Sequence, residues 1–245
     1  MPSTVTVNSD LGESFGLHGF GHDQKLLKIV DAVNIACGFH AGDPHVMSAT
    51  AAAAAVAGVA MGAHPGLPDL VGFGRRTMAL TPDEVRDIVR YQVGALMAFV
   101  VESNARLRHV KAHGALYGML ARDEELMRPV AELAASLGVQ IYGLAGTAQQ
   151  FEADKAGAEF VAELYVDLDY DGDGDLVITR RPRHTDPAAA ATRVTSALTT
   201  GTITAADGSV LPARFDTVCI HSDTSNCVEV ATAVAAALGA RERGE

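Results

Sequence analysis

Imidazoles, carboxylates and a few cations recur at short spacing along this chain, and their types limit the chemistry available to it. Asp10-Leu-Gly-Glu13 comes first, then Asn34 followed by Cys37-Gly-Phe-His40-Ala-Gly-Asp43. His64-Pro-Gly is followed by Asp69 and by Gly72-Phe-Gly-Arg75-Arg76. Lys111-Ala-His113-Gly, Glu163 with Asp167, and His221-Ser-Asp223 complete the set. Imidazole beside carboxylate suits general acid–base work on water, or a divalent metal that activates water. Lysine and arginine suit an anionic substrate group, because guanidinium grips a carboxylate through two hydrogen bonds. There is no GxSxG elbow, no HExxH helix and no Walker A sequence. The residues therefore imply a hydrolase-like site for a small anionic substrate.

Such residues need a scaffold, and the chain supplies a regular one. Seven short apolar runs read as strands: Val5–Ser9, Ala32–Ala36, Val59–Ala63, His109–Ala112, Gln140–Leu144, Phe160–Glu163 and Thr217–His221. Helix-start chemistry lies between them. Asp43-Pro44, Thr81-Pro82 and Asp186-Pro187 each set a capping side chain before a proline suited to the first turn. Thr81 and Glu84 fit a capping box, and Gly138 and Gly239 stand where helices should stop. Strands alternating with helices imply a parallel sheet with right-handed crossovers, either an open doubly wound sheet or a closed TIM-like barrel. The first run is followed by Gly12, Gly16, Gly19 and Gly21, which do not form GxGxxG. That removes the main reason to prefer a dinucleotide-binding sheet. No linker, repeat or composition shift divides residues 1–245, so one domain is expected. Asp207-Gly208, between Thr202–Thr204 and Val210–Leu211, reads as a small inserted hairpin.

Parallel α/β folds place their chemistry at the carboxyl ends of the strands. Four of the nine histidines fall directly after apolar runs, with acidic residues beside them. Each alone has an ordinary explanation. A strand-end histidine is often a structural hydrogen-bonding group, Asp10 and Glu13 could cap loops, and Asp43 is a helix cap. Arg75 and Arg76 could sit in surface ion pairs of little energetic value. Convergence separates the two accounts, because in a barrel all these ends face one mouth.

Composition narrows the remaining classes. The formal net charge of -11 disfavours nucleic acid and anionic membrane as main partners. The longest apolar run, Ala51 to Met61, falls well short of the roughly 20 residues a membrane span needs. Cys37, Cys219 and Cys227 form no CxxC and are expected to be reduced, and MPSTVTVNSD has no signal-peptide pattern, so the cytoplasm is expected. The acidic run Asp167–Asp175 imitates a calcium loop, yet the twelfth position is Ile178 or Arg180, not the required Glu. His40 and His45 are five apart, a spacing that does not pair ligands on one helical face.

Taken as longer motifs, the same residues resemble the LamB/YcsF family. The resemblance is carried by Asn8-Ser-Asp10-Leu-Gly-Glu13, the stretch Asn34 to Asp43, and Gly62-Ala-His-Pro-Gly66 with Asp69 and Gly72 to Arg76. Lys111-Ala-His-Gly-Ala-Leu-Tyr117 adds to it, and the match runs from Val7 to about Ala237. It implies a seven-stranded β/α barrel of the glycoside hydrolase/deacetylase kind. It also implies ATP-dependent opening of 5-oxo-L-proline to L-glutamate, in a complex with 5-oxoprolinase subunits B and C. ATP is then a co-substrate, although this chain shows no phosphate loop of its own. On this reading Arg75 or Lys111 holds the substrate carboxylate or a phosphoryl oxygen. Asp10, His64 and His113 position or deprotonate water, and His221 with Asp223 forms an oriented acid–base pair. Glu13, Asn34, His40 and Asp167 complete the substrate site, and a divalent metal, if bound, would take Asp10, His40, His64 and His113. The chain departs from the family pattern at Ala112, Leu168 and Ser222, where Pro, Arg and Gly are usual. Two other readings compete: a stand-alone metal-dependent deacetylase or amidase, and a non-catalytic subunit that binds the lactam.

Overall fold

The computed structural model of the chain describes residues 5–178 and 184–239. In chain order the elements are β1 (Thr6–Leu11), α1 (Asp23–Leu26), β2 (Ala32–Ala36), α2 (Pro44–Ala57), β3 (Ala60–His64), α3 (Pro82–Glu102) and β4 (Leu107–Val110). There follow α4 (Gly114–Arg122), α5 (Glu124–Leu137), β5 (Gln140–Gly143), α6 (Ala148–Ala156), β6 (Phe160–Tyr165) and the short pair β7 (Asp169–Tyr170) and β8 (Leu176–Val177). The chain continues through α7 (Pro187–Thr200), β9 (Thr202–Thr204), β10 (Val210–Pro212), β11 (Thr217–His221) and α8 (Cys227–Ala237). Seven strands, in the order β1-β11-β6-β5-β4-β3-β2, close into a barrel whose ladders are all parallel. The closed barrel is thus the one of the two expected architectures that forms.

Local chemistry fixes the helix starts as the sequence predicts. The Asp43 side chain accepts from His45 and Val46 N–H, Thr81 and Glu84 form a capping box, and Asp186 accepts from Ala188 N–H. Gly138 ends α5 in the left-handed conformation that a Cβ would strain. The expected hairpin forms as antiparallel β9 and β10, with Gly208 at φ +89°. The imitation calcium loop is a hairpin turn between β7 and β8, where the Asp171 carboxylate accepts from the N–H groups of Asp173 and Asp175. Arg180, one of the two residues at the twelfth position of that loop, lies outside the described residues. No helix among the described residues is long and apolar enough to cross a membrane.

Side-chain alternation divides each barrel strand into an outer and an inner face. Val33 and Ile35, Leu164, and Val218 and Ile220 belong to the apolar core between barrel and helices. The alternate positions turn inward and bond across the barrel. Asn8 Nδ2 donates to Glu163 Oε1 at 3.1 Å although β11 separates their strands, and Lys111 Nζ reaches Asp10 Oδ1 from the opposite side at 2.7 Å. The interior is therefore polar, a costly arrangement that holds only because its groups are paired.

Candidate functional site

The floor of the site is a buried ionic chain. Lys111 Nζ lies 2.7 Å from Asp10 Oδ1, 2.9 Å from Cys219 Sγ and 3.7 Å from Glu163 Oε1. Burial alone would push the ammonium down, but Asp10, Cys219 and Glu163 outweigh it and hold Lys111 well above its ordinary value. Asp10 answers in the opposite sense. Burial would raise its carboxyl, yet His64, Lys111 and His221 hold it well below the usual carboxylate range. Asn34 Nδ2 donates to both Asn8 Oδ1 and Asp10 Oδ1 at 2.8 Å, and Glu163 Oε2 accepts from Tyr117 and Tyr165 hydroxyls. Lys111 is thus the counter-ion of buried carboxylates, although its side chain also lines the cleft. Asn34 is fully buried and orients Asp10 from behind.

Above this floor three imidazoles gather around Glu13. His40 stacks on His113 with centroids 3.7 Å apart, and His64 meets both edge-on. His64 Nδ1 lies 2.8 Å from the Lys111 carbonyl and His113 Nε2 lies 2.8 Å from the Phe73 carbonyl. Carbonyl oxygens only accept, so each of those nitrogens carries the proton. Glu13 Oε1 is 3.3 Å from His40 Nε2 and 3.5 Å from His113 Nδ1. Burial, then the charges of Asp10 and Asp223, push the Glu13 carboxyl well above its ordinary value. Burial, and then neighbouring imidazoles, depress His40 and His113. Donor atoms of Glu13, His40, His64 and His113 lie within 4.8 Å of one another; Asp10, expected among such donors, instead groups with Cys219 and His221.

The outer wall departs from expectation in its pairing. His221, expected to pair with Asp223, instead sets its Nδ1 3.0 Å from Asp167 Oδ1. Strand register explains the change. β11 and β6 pair Thr217 with Glu163 and Cys219 with Tyr165, so the same offset of 54 places Asp167 beside His221. Asp223 instead receives Arg75 at 2.6 Å, and both side chains are largely buried. Asp69 takes Arg76. Asp10, His64, Lys111, His113, Arg75, Asp167, His221 and Asp223 all line one cleft that is open to solvent at its mouth. Glu13, Asn34 and His40 stand behind it.

Several participants lie outside the residues given roles from the sequence. Tyr117 and Tyr165 line the cleft, Glu163 and Cys219 contact Lys111, and His109 Nε2 lies 2.6 Å from Asn34 Oδ1. Period-two alternation would have found most of them. Asn8 precedes Asp10 by two, His109 precedes Lys111 and His113, Glu163 precedes Tyr165 and Asp167, and Cys219 precedes His221. Of the three departures from the family pattern, Ala112 and Leu168 line the cleft, and Ser222 is buried against Gly21.

Fold and site together define a β/α barrel with a buried cluster of imidazoles and carboxylates at the carboxyl ends of its strands. The chain belongs to the LamB/YcsF family, whose model matches residues 5–244. It is 47% identical over 223 residues to the 5-oxoprolinase A subunit of Limosilactobacillus fermentum, with 89% of each chain covered. It is 44% identical over 228 residues to the lactam utilization protein lamB of Emericella nidulans, covering 91% of this chain and 90% of that one. Among solved structures, the lactam utilization protein from Thermus thermophilus superposes with a TM-score of 0.87 at 42% identity, covering 98% of this chain and 99% of that one.

Proposed function

We propose that this barrel opens the lactam ring of 5-oxo-L-proline to give L-glutamate, with consumption of ATP, as one subunit working with 5-oxoprolinase subunits B and C. The names of its relatives point to this substrate class, and one geometric observation supports the chemistry. His64 Nε2 lies 3.2 Å from Asp10 Oδ2 in the cleft that also holds Arg75 and His221. Asp10 provides for removal of a proton from attacking water, which His64 positions. Arg75 and the protonated His221 supply positive charge for the substrate carboxylate and for the ring nitrogen as it leaves. A five-membered lactam re-closes readily because its amine and carboxyl are held together, so unassisted hydrolysis is poorly driven. Phosphorylation of the amide oxygen makes the carbonyl carbon a better electrophile, which accounts for the ATP requirement.

An ATP-dependent glutamate-release assay tests this reading, run with the complete set of subunits and with each left out. Release should need this chain, and Asp10→Asn should lower it by roughly 10²–10⁴-fold, the usual range for a lost acid–base group. Full release without this chain, or full release with Asp10→Asn, would refute the assignment.

A further inference from the structure

The facing nitrogens of His64 and His113 call for one positive charge between them, either a shared proton or a cation. His64 Nδ1 and His113 Nε2 both donate to backbone carbonyls, so in the neutral rings His64 Nε2 and His113 Nδ1 present lone pairs, and these nitrogens lie 3.0 Å apart. Glu13 Oε1 faces the same point, 3.5 Å from His113 Nδ1, and Asp10 Oδ2 is 3.2 Å from His64 Nε2. Acceptors meeting at such distances repel unless positive charge lies between them. Among the described residues the ion pairs of Glu13 are with imidazoles, while Lys111 is committed to Asp10, Glu163 and Cys219.

We propose that this point binds one transition-metal dication of the zinc class, ligated by His64 Nε2, His113 Nδ1 and Glu13 Oε1. Zn–N bonds of about 2.0–2.1 Å in a tetrahedral site separate the donors by about 3.3 Å. The observed separations of 3.0 and 3.5 Å bracket that value. Both imidazoles already have what ligating histidines almost always have, the other ring N–H fixed on a backbone carbonyl. His40 does not join them. Its ring is parallel to that of His113 within 4°, so an ion in the plane of one ring lies far out of the plane of the other. Its Nε2 is 3.3 Å from Glu13 Oε1, which makes it a positioning residue for that ligand. His64 and His113 line the cleft, whereas Glu13 and His40 stand behind it, so the remaining coordination position faces the cleft. Three protein ligands with an open fourth position describe a catalytic site and not a structural one.

The metal site does not rest on the lactam reading, and its test measures binding. The full-length chain, stripped with chelator, is titrated with Co²⁺ as an optical probe, then competed with Zn²⁺, with metal content measured by mass spectrometry. The expected result is one equivalent per chain, with visible absorption of a four- or five-coordinate ion that Zn²⁺ abolishes. His113→Ala and Glu13→Gln should each weaken Co²⁺ binding more than ten-fold. His40→Gln should keep one equivalent and weaken it by roughly 10–100-fold, the usual effect of losing a ligand's supporting hydrogen bond. A wild-type chain that binds neither ion overturns the proposal and leaves a proton shared between the two imidazoles. So does a folded His113→Ala or Glu13→Gln protein with wild-type affinity. If either variant fails to fold, the wild-type titration decides alone.

Discussion

His221 and Asp167 are joined twice: Asp167 Oδ1 lies 3.0 Å from the ring Nδ1, and Asp167 Oδ2 accepts the His221 backbone N–H at 2.7 Å. The double contact fixes the ring and its protonation together. Burial would depress this imidazole, but Asp167, with help from Asp10, raises it to about 9. His221 is therefore cationic at neutral pH and turns Nε2 toward Asp10 Oδ2, 3.7 Å away.

Asp167→Asn should bring His221 back toward or below its ordinary value of 6.5, read directly from an NMR titration of the ring. The sign of the stability effect follows from the raised value. The protonated pair stabilises the fold fully below about pH 6.5, and this contribution fades as pH rises through about 9. Its full size is on the order of 3 kcal/mol. Urea unfolding of the wild type should show this loss between the two limits, and Asp167→Asn should flatten it. An unchanged slope in the variant would place the proton elsewhere.

Lys111→Met should destabilise by about 3–5 kcal/mol, because it leaves Asp10 and Glu163 buried without their common cation. Adding Asp10→Asn removes one of the stranded charges, so the double variant should recover part of the loss. Denaturant midpoints measure both. If the second substitution only added to the first, the ionic chain would not be what Lys111 holds together.

The barrel and the strand ends were legible in the sequence because they rest on local rules. Alternating apolar runs, the Asp43 and Thr81 caps and the Asp207-Gly208 turn each act within a few residues. The caps and the turn formed where read, while strand bounds moved by one or two residues, as at β4, read as His109–Ala112 and found at Leu107–Val110. The cross-barrel network was less legible because it depends on closure. Nothing near Lys111 in sequence says that its ammonium meets Asp10 from β1 and Cys219 from β11. The pairing of His221 likewise follows from the β6–β11 register, which no local pattern encodes. Proximity in sequence favoured Asp223, two residues away, and Arg75 from the β3–α3 connection claimed it.

Gly62 shows how tightly that interior is filled. A Cβ built there would run into the His109 ring, which is itself stacked on Tyr142 at 3.9 Å. The β3–β4 register shifts at this point, between Met61 and Gly62. Gly62→Ala should therefore cost about 1–3 kcal/mol as overpacking. For a chain of this size each kcal/mol lowers Tm by roughly 2–4 °C. Shortening His109 to Asn should be less harmful in the Gly62→Ala background than alone. A double-mutant cycle in thermal unfolding reads that coupling, and additive effects would argue that the two side chains do not compete for space.

Arg75 and Asp223 allow the substrate-binding role to be tested in both directions. Their 2.6 Å pair lies at the cleft, so an incoming carboxylate must compete with Asp223 for the guanidinium. Removing the competitor and removing the cation then have opposite effects. Asp223→Asn should lower KM for the anionic lactam, because Arg75 keeps its charge while its bound carboxylate becomes a weaker neutral partner. Arg75→Gln should raise KM, and Arg75→Lys should restore only part of the loss because an ammonium cannot make the paired contact. Raised KM with Asp223→Asn would mean that Asp223 aims Arg75 instead of competing for it, and equal KM in all three variants would place the substrate carboxylate elsewhere.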